Sequence, residues 1–208
     1  MLVTDQSLLL TTRKDFPADN LRDFIVYARA NQENMKYGSA GVGGQTHLAC
    51  VLLNTAIGIK VTHVPYRGGG QALQDLMAGR IDYQCPSTPV ALPLIAGNLV
   101  KALAVLSKNR SPSMPDLPSA HEQGLTGFDV PSWYAIFLPK GTPAGIINKL
   151  RDATVAAMAK PLIRERLREI GCDQIPPERS SPDYLRQFVA SEIEKWAAAI
   201  KASGLQID

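Results

Sequence analysis

One pattern occurs three times in this chain: a short apolar stretch, a turn rich in glycine or proline, and a segment able to form a helix. The turns are residues 38–44, 65–70 and 86–89. Strands that alternate with helices over short loops indicate a parallel sheet covered by helices. Residues 59–64 and 100–106 are almost continuously apolar, which is typical of buried parallel strands. The sequence therefore predicts an α/β fold.

The chain changes character near residue 130. Pro, Ser, Asn and Gly are frequent between residues 107 and 131, and these residue types interrupt regular structure. The C-terminal part of the chain mostly has helical periodicity, including a helix expected to begin at Thr142 and Pro143, where a capping residue precedes proline. We therefore expect the C-terminal third, which is mostly helical, to be part of a second lobe.

Charge and composition exclude several classes of protein. The 22 basic and 19 acidic residues give a net charge of +3 and are scattered, whereas nucleic-acid-binding proteins cluster Lys and Arg on one element. No stretch reaches the ~18 apolar residues that a membrane-spanning helix needs. The first residues lack the basic start and the apolar run of a secretory signal peptide. We expect no nucleic-acid partner, no membrane span and no signal peptide in this chain.

Metal and cofactor chemistry also lacks a sequence basis. The three cysteines form no C-x-x-C pair, and the three histidines stand far apart. The glycines of the first turn do not follow the dinucleotide-binding order, and no phosphate-binding loop with its lysine occurs. We expect neither a metal site nor a cofactor.

The three turns themselves favour an anion site. In open parallel sheets, ligands bind beyond the carboxyl ends of the strands, where helix N-termini present unpaired N–H groups and partial positive charge. Glycines there let the backbone approach an anion closely. Hydroxyls and a guanidinium could add to these donors. The candidates for this role are Ser39, Thr46, Arg67, Ser87 and Thr88.

Other interpretations of the same residues stay open. Glycine-rich turns join strands to helices in many α/β domains without binding anything. Arg67 could pair with Asp75 on the protein surface, and His47, beside the apolar Leu48, fits a packing role better than a ligand contact.

Several sequence blocks resemble a known family. The first is the run Tyr37-Gly38-Ser39-Ala40-Gly41-x-Gly43-x-Gln45-Thr46-His47-Leu48-Ala49-Cys50, and further blocks fall at residues 64–76, 78–83, 132–134, 139–143 and 192–196. In these blocks the chain resembles the Bug family of tripartite tricarboxylate transporter receptors. The blocks run in order over nearly the whole chain, so the resemblance is specific to that family.

The resemblance implies a type II periplasmic binding protein-like fold with two lobes that have parallel-sheet cores. Residues 1–130 would be a nearly complete second lobe, and residues 131–208 the returning C-terminal part of a first lobe that is incomplete here. Such a protein is a periplasmic receptor and not an enzyme. It binds a small carboxylate, or a related amide, and delivers it to the membrane permease subunits of a tripartite transporter.

The resemblance also assigns the ligand-binding residues to the three turns. In this sequence they are Ser39, Ala40, Gly41, Gly43 and Thr46 of the first turn, Tyr66, Arg67, Gly68 and Gly69 of the second, and Ser87 and Thr88 of the third. Export would place the chain in an oxidising compartment, and there we hypothesise a disulfide between Cys50 and Cys85.

Two rival functions remain. The effector-binding domain of a LysR-type transcription regulator has the same two-lobed fold and a similar length. A small hydrolase could use Ser39 or Cys85 as nucleophile, although Tyr37 stands where the nucleophile elbow of the hydrolases requires glycine.

Overall fold

A computed structural model describes residues 1–203 of the chain. Its strands and helices alternate through the first half, and helices dominate the last third. In chain order the elements are β1 (Leu2–Gln6), β2 (Leu9–Arg13), α1 (Leu21–Asn31), β3 (Lys36–Ser39), α2 (Gln45–Ile57), β4 (Thr62–Pro65), α3 (Gly69–Met77), β5 (Tyr83–Gln84), α4 (Thr88–Ala96), β6 (Val100–Val105), β7 (Ser132–Ala135), α5 (Ala144–Met158), α6 (Pro161–Glu169), β8 (Cys172–Gln174) and α7 (Pro182–Ser203), with a 3₁₀ turn at Pro177–Arg179.

The larger sheet has five strands in the order β4-β3-β5-β2-β6. β3 runs parallel to both β4 and β5, as the repeated pattern predicts. β2 instead runs antiparallel to β5 and β6, so the sheet is mixed. The reason is that β2 enters this sheet directly from β1, on the side where the carboxyl ends of β3, β4 and β5 lie. It must therefore run in the opposite direction to those strands. The α/β class is confirmed, but the parallel cores expected for both lobes are not: β2 is reversed in this sheet, and the smaller sheet is antiparallel throughout.

The smaller sheet has three strands in the order β7-β1-β8, all antiparallel. Its central strand is the N-terminal segment Leu2–Gln6, which pairs with Ser132–Ala135 on one side and Cys172–Gln174 on the other. Residues 2–6 therefore pair with strands of the C-terminal third, whereas the family resemblance implied that they belong to the lobe of residues 1–130. Only two residues separate β1 from β2, so the chain passes here from one sheet to the other.

Helices cover the larger sheet on both faces. Phe24 of α1, Leu53 of α2 and Tyr83 of β5 are fully buried in one apolar cluster. On the opposite face, Leu76 of α3 packs in a second cluster with Ile81. α1 begins where the side chain of Asn20 accepts a hydrogen bond from the Asp23 amide at 2.9 Å, which satisfies one unpaired N–H of the first turn.

The C-terminal third is less enclosed. No residue of α5 or α6, both of which the structure describes completely, is buried, and Ile146 and Leu162 are 50% and 62% exposed. α7 contacts α2, and its Trp196 packs against the main apolar cluster. Within residues 1–203 no helix combines the length and the apolar character required to cross a membrane.

A disulfide joins Cys50 of α2 to Cys85, which directly follows β5, with the two Cα atoms 5.7 Å apart. This is the pairing hypothesised from the family resemblance. The bond ties the first half of α2 to the start of the third turn, so two of the three candidate turns are held together covalently. Cys172 is free and buried.

Candidate functional site

All three glycine- or proline-rich turns reach one cleft, of about 260 Å³, between the two sheets. The larger sheet contributes the turns and the end of β5, and the smaller sheet contributes the end of β1 and part of β7. The lining residues are Gln6, Ala40, Gln45, Thr46, Gly69, Gln84, Pro86, Ser87, Val90 and Tyr134. Four of the eleven residues that the sequence proposed for ligand binding are therefore brought together here, namely Ala40, Thr46, Gly69 and Ser87.

Three helices begin at this cleft. α2 begins after Gly44, α3 after Gly68 and α4 after Ser87, and within the described residues none of these three positions makes a side-chain capping hydrogen bond. The first turn of a helix presents unpaired N–H groups and partial positive charge. In α4 the Thr88 amide already donates to the Ser7 carbonyl oxygen at 2.9 Å and the next residue is a proline, so the N–H groups open to a ligand are those of α2 and α3. None of the described residues lining the cleft has a side chain that is charged at neutral pH. The positive potential of the cleft therefore comes from backbone dipoles.

The first turn is held in shape by its own side chains. Thr46 Oγ1 accepts a hydrogen bond from the Ala40 amide at 2.9 Å, and the Gly43 amide donates to His47 Nδ1 at 3.0 Å. Ser39 is fully buried, and its Oγ accepts from the Gly41 amide at 3.2 Å. Ser39, Gly41 and Gly43 thus shape the turn without lining the cleft, whereas Ala40 and Thr46 line it.

An aromatic stack supports this turn from behind. The ring centroid of His63 lies 4.8 Å from that of Tyr37 and 4.0 Å from that of His47. Burial, and the neighbouring His47, lower the pKa of His63 to about 4. Burial also lowers the pKa of His47, whose neutral ring can therefore accept the Gly43 N–H. His47 is a structural support of the turn, as its apolar surroundings in the sequence suggested.

The same stack bears on the hydrolase alternative. Ser39 Oγ lies 2.7 Å from His63 Nε2, which is the spacing of a nucleophile and its base. Yet Ser39 is fully buried and its Oγ also lies 3.1 Å from the Gly41 carbonyl oxygen, to which it can donate. Cys85, the other candidate nucleophile, is consumed in the disulfide. Neither side chain is presented to a substrate.

The second turn places its polar side chains away from the cleft. The Tyr66 hydroxyl donates to Asp75 Oδ2 at 2.7 Å, and burial together with this carboxylate raises the pKa of Tyr66 to about 12. Asp75 also pairs with Arg80 at 2.7 Å. The surface partner of Asp75 is therefore Arg80 and not Arg67, which is exposed and outside the lining. From this turn only Gly69, at the start of α3, lines the cleft, with Gly68 just before it.

The third turn is fastened to the passage between the sheets. Thr88 is fully buried, and its Oγ1 donates to the Ser7 carbonyl oxygen at 2.9 Å. Thr88 therefore anchors the turn, while Ser87 lines the cleft.

The glutamines of the site were not predicted from the sequence. Gln84 is fully buried at the end of β5, and neither its Oε1 nor its Nε2 has a hydrogen-bond partner within the described residues. Gln6 Oε1 is also without a partner there, while Gln6 Nε2 donates to Ser132 Oγ at 2.8 Å. A glutamine between Tyr83 and Cys85, at the end of a predicted strand and just before the third turn, was the available signal for Gln84. Gln6 and Tyr134 had none, because the pairing that brings β1 and β7 to the cleft is distant in sequence.

A cleft between two sheets, bordered by the first turns of three helices, is the arrangement of the periplasmic solute-binding proteins. The family model of the "Tripartite tricarboxylate transporter family receptor" matches residues 1–205. The chain belongs to this family. Because the family consists of receptors, the match favours a receptor over a hydrolase or a regulator domain.

Individual relatives agree with this assignment. A UPF0065 protein of Agrobacterium vitis is 35% identical over 203 residues, which is 98% of this chain and 59% of the relative. The periplasmic binding protein BugD has 32% identity and a TM-score of 0.91, over 99% of this chain and 68% of BugD. MatC from Rhodopseudomonas palustris, solved with bound malate, has 37% identity and a TM-score of 0.89, over 96% of this chain and 68% of MatC. The chain thus spans about three fifths of the length of the curated relative.

Proposed function

We propose that this chain is the ligand-binding part of an extracytoplasmic receptor that captures a small carboxylate for a tripartite uptake system. The observation that carries the proposal is the convergence of three helix N-termini on one cleft without charged lining side chains. Backbone N–H groups at the starts of α2 and α3 would hold a carboxylate, as helix N-termini hold anions in many proteins. The malate bound by the related MatC supports the same class of ligand.

In this proposal the two sheets belong to two lobes that meet at the cleft. Residues 7–130 form one lobe, and the three-stranded sheet with α5 and α6 belongs to the other. The receptor would work in the periplasm and deliver its ligand to membrane permease subunits. Family membership supports this placement and these partners.

Arg67 has a specific place in the proposal. Its exposed side chain lies one residue before Gly68, at the start of α3, so a change of rotamer would bring the guanidinium toward a bound carboxylate. Tyr66, Gly68 and Thr88 would act by shaping their turns, and Ser39, Gly41 and Gly43 by shaping the first.

The test is calorimetric titration of the protein, expressed as its gene encodes it, with a panel of small di- and tricarboxylates. We expect saturable binding of at least one acid, and a melting temperature that rises with its concentration. Arg67→Ala should weaken binding about tenfold or more if the guanidinium contacts the carboxylate. Arg22→Ala, which removes an exposed arginine of α1, is the charge-matched control and should leave the affinity unchanged. A protein that binds none of the acids contradicts the proposal.

A further inference from the structure

Gln84 is a buried amide without a partner at a ligand-sized cleft. Its side chain is fully buried, and both its Oε1 and its Nε2 lack hydrogen-bond partners among the described residues. Leaving such a group unpaired destabilises a protein, because the group has lost its hydrogen bonds to water and gained none in return. Native structures rarely keep this arrangement without a functional reason.

The backbone fixes where this amide lies. Gln84 pairs with Thr11 of β2 and with Gly38 of β3, so it sits in the middle of the larger sheet. A Cβ atom placed on Gly69 would lie 3.9 Å from Gln84 Nε2. The amide therefore reaches the first turn of α3, where the N–H groups of that helix also face the cleft.

A second amide reaches the cleft from the other sheet. Gln6 is held by its Nε2, which donates to Ser132 Oγ at 2.8 Å. Its remaining polar atom, Oε1, has no partner among the described residues. Gln6 and Gln84 both line the cleft, and together they carry two buried carbonyl oxygens and one buried NH₂ group without a partner among the described residues.

A carboxylate alone cannot satisfy all of these unpaired atoms. An ionised carboxylate only accepts hydrogen bonds, so it can satisfy Gln84 Nε2 but neither of the two carbonyl oxygens. Those oxygens need an O–H or N–H donor. An ammonium group is a poor donor here, because the lining has no carboxylate and the helix N-termini add positive potential. A hydroxyl or a carboxamide meets the requirement without charge.

We infer that the cleft selects small carboxylates that also carry a neutral hydrogen-bond donor, a hydroxyl or a carboxamide, and that Gln84 together with Gln6 recognises this group. The inference rests on the proposed function and deepens it. The helix N-termini bind the carboxylate, and the two glutamines bind the hydroxyl or carboxamide of the same ligand. Sites with polar groups that pair with a ligand hydroxyl reject the analogue that lacks it, because those polar groups are then left unpaired.

The experiment compares acids that differ only in the donor. Succinate, malate and succinamate are titrated calorimetrically into the protein as its gene encodes it. We expect malate or succinamate to bind at least about tenfold more tightly than succinate. Gln84→Met keeps the length of the side chain and removes its donor and acceptor. In this variant the ratio of the affinity for the donor-bearing acid to that for succinate should fall close to one, because the donor-bearing acid binds more weakly. Gln6→Met should also lower the preference, because it removes the other of the two carbonyl oxygens that accept from the donor.

Thr12→Val is the matched control. Thr12 Oγ1 is another buried oxygen without a partner within the described residues, yet Thr12 does not line the cleft. This variant should keep the preference of the parent protein.

The outcomes separate the inference from the proposed function. Equal affinity of the parent protein for succinate and for both donor-bearing acids overturns the inference and leaves the receptor function standing. So does a preference that survives both glutamine substitutions. If no acid of any kind binds, the proposed function fails, and the inference fails with it.

Discussion

The helices around the larger sheet and those of the C-terminal third bury their apolar side chains to very different degrees. α1, α2 and α3 bury Leu21, Leu53 and Leu76 completely. On α5 and α6 no residue is buried, and Leu150 of α5 remains 44% exposed. Beside α5 lies an apolar groove of about 450 Å³, lined in part by Phe137, Leu138 and Leu185.

This difference shows which contacts stabilise each of the two regions. The five-stranded region is stabilised by its own core and by the disulfide between Cys50 and Cys85. The C-terminal third is attached through β1, the centre of its sheet, and through α7, which packs on α2. Apolar burial is the main stabilising term in folded proteins. The two regions should therefore respond differently to the same kind of substitution.

The strongest way to test this contrast is to truncate one leucine in each region. Leu53→Ala removes a fully buried side chain, and we expect it to lower the free energy of unfolding by about 2–5 kcal/mol. Leu150→Ala acts on a partly exposed side chain and should lower it by less than about 1 kcal/mol. Urea unfolding of both variants measures the difference. Equal losses would show that α5 is as enclosed in solution as α2.

The disulfide offers a second test, confined to the larger sheet. Replacing Cys50 and Cys85 together by alanine opens a bridge between residues 35 apart in sequence. We expect a loss of about 2–4 kcal/mol in the free energy of unfolding, because the unfolded chain regains the entropy that the bridge removed. Cys172→Ser is the control, since Cys172 is free. A double variant as stable as the parent under non-reducing conditions would contradict this assignment of the bridge.

The larger sheet could be predicted from the sequence to a greater extent than the smaller one. The α/β class and the three turns follow from local patterns, since glycines and apolar spacing act over a few residues. The smaller sheet does not, because Leu2 pairs with Ala135 and Thr4 with Gln174. Pairing at such distance leaves no local trace, and Gln6 and Tyr134 were missed for that reason.

Within the turns, residue type alone could not distinguish the residues that line the cleft from those that hold the turn in shape. Ser39 and Ser87 both carry hydroxyls in the turns, yet Ser39 is buried and hydrogen-bonded within its turn, whereas Ser87 lines the cleft. The direction of a side chain depends on packing from other elements. For Ser39 that element is β4, which carries His63.

A third prediction concerns the attachment of α7. Glu192 is buried, and its Oε2 accepts hydrogen bonds from Trp133 Nε1 at 3.3 Å and from Trp196 Nε1 at 3.2 Å. Glu192→Gln keeps the shape and removes the charge, so we expect a loss of about 1–2 kcal/mol in stability. The chain has two tryptophans, and both contact this carboxylate, so a shift in tryptophan emission should accompany the loss.

The control for this substitution is Glu194→Gln, on an exposed position of the same helix. It should change neither stability nor emission. If Glu192→Gln leaves the emission unchanged, the shared carboxylate does not order the two indoles.

The smallest expected effect is on pH dependence and belongs to the larger sheet. The pKa of His63 is lowered from 6.5 to about 4 by burial and by His47. Between these two values the unfolded chain binds a proton that the folded chain does not, so stability should fall as the pH falls from about 6.5 to about 4. Above that range His63 is neutral in both states and contributes no slope.

Unfolding experiments at several pH values, with His63→Gln beside the parent protein, measure this contribution. The variant should show a shallower slope in the acidic range, and His121→Gln, at an exposed position, should not. Parallel slopes for the parent and His63→Gln would mean that His63 titrates alike in the folded and unfolded chains.

The chain crosses between its two sheets at residues 7–8 and again just before Ser132. Gln6 and Ser132 flank these crossings and are hydrogen-bonded at 2.8 Å, although 126 positions separate them. This bond therefore joins the two points where the chain passes between the sheets, and Gln6 belongs to the cleft as well. A ligand that contacts Gln6 would therefore touch the same side chain that links the two crossings.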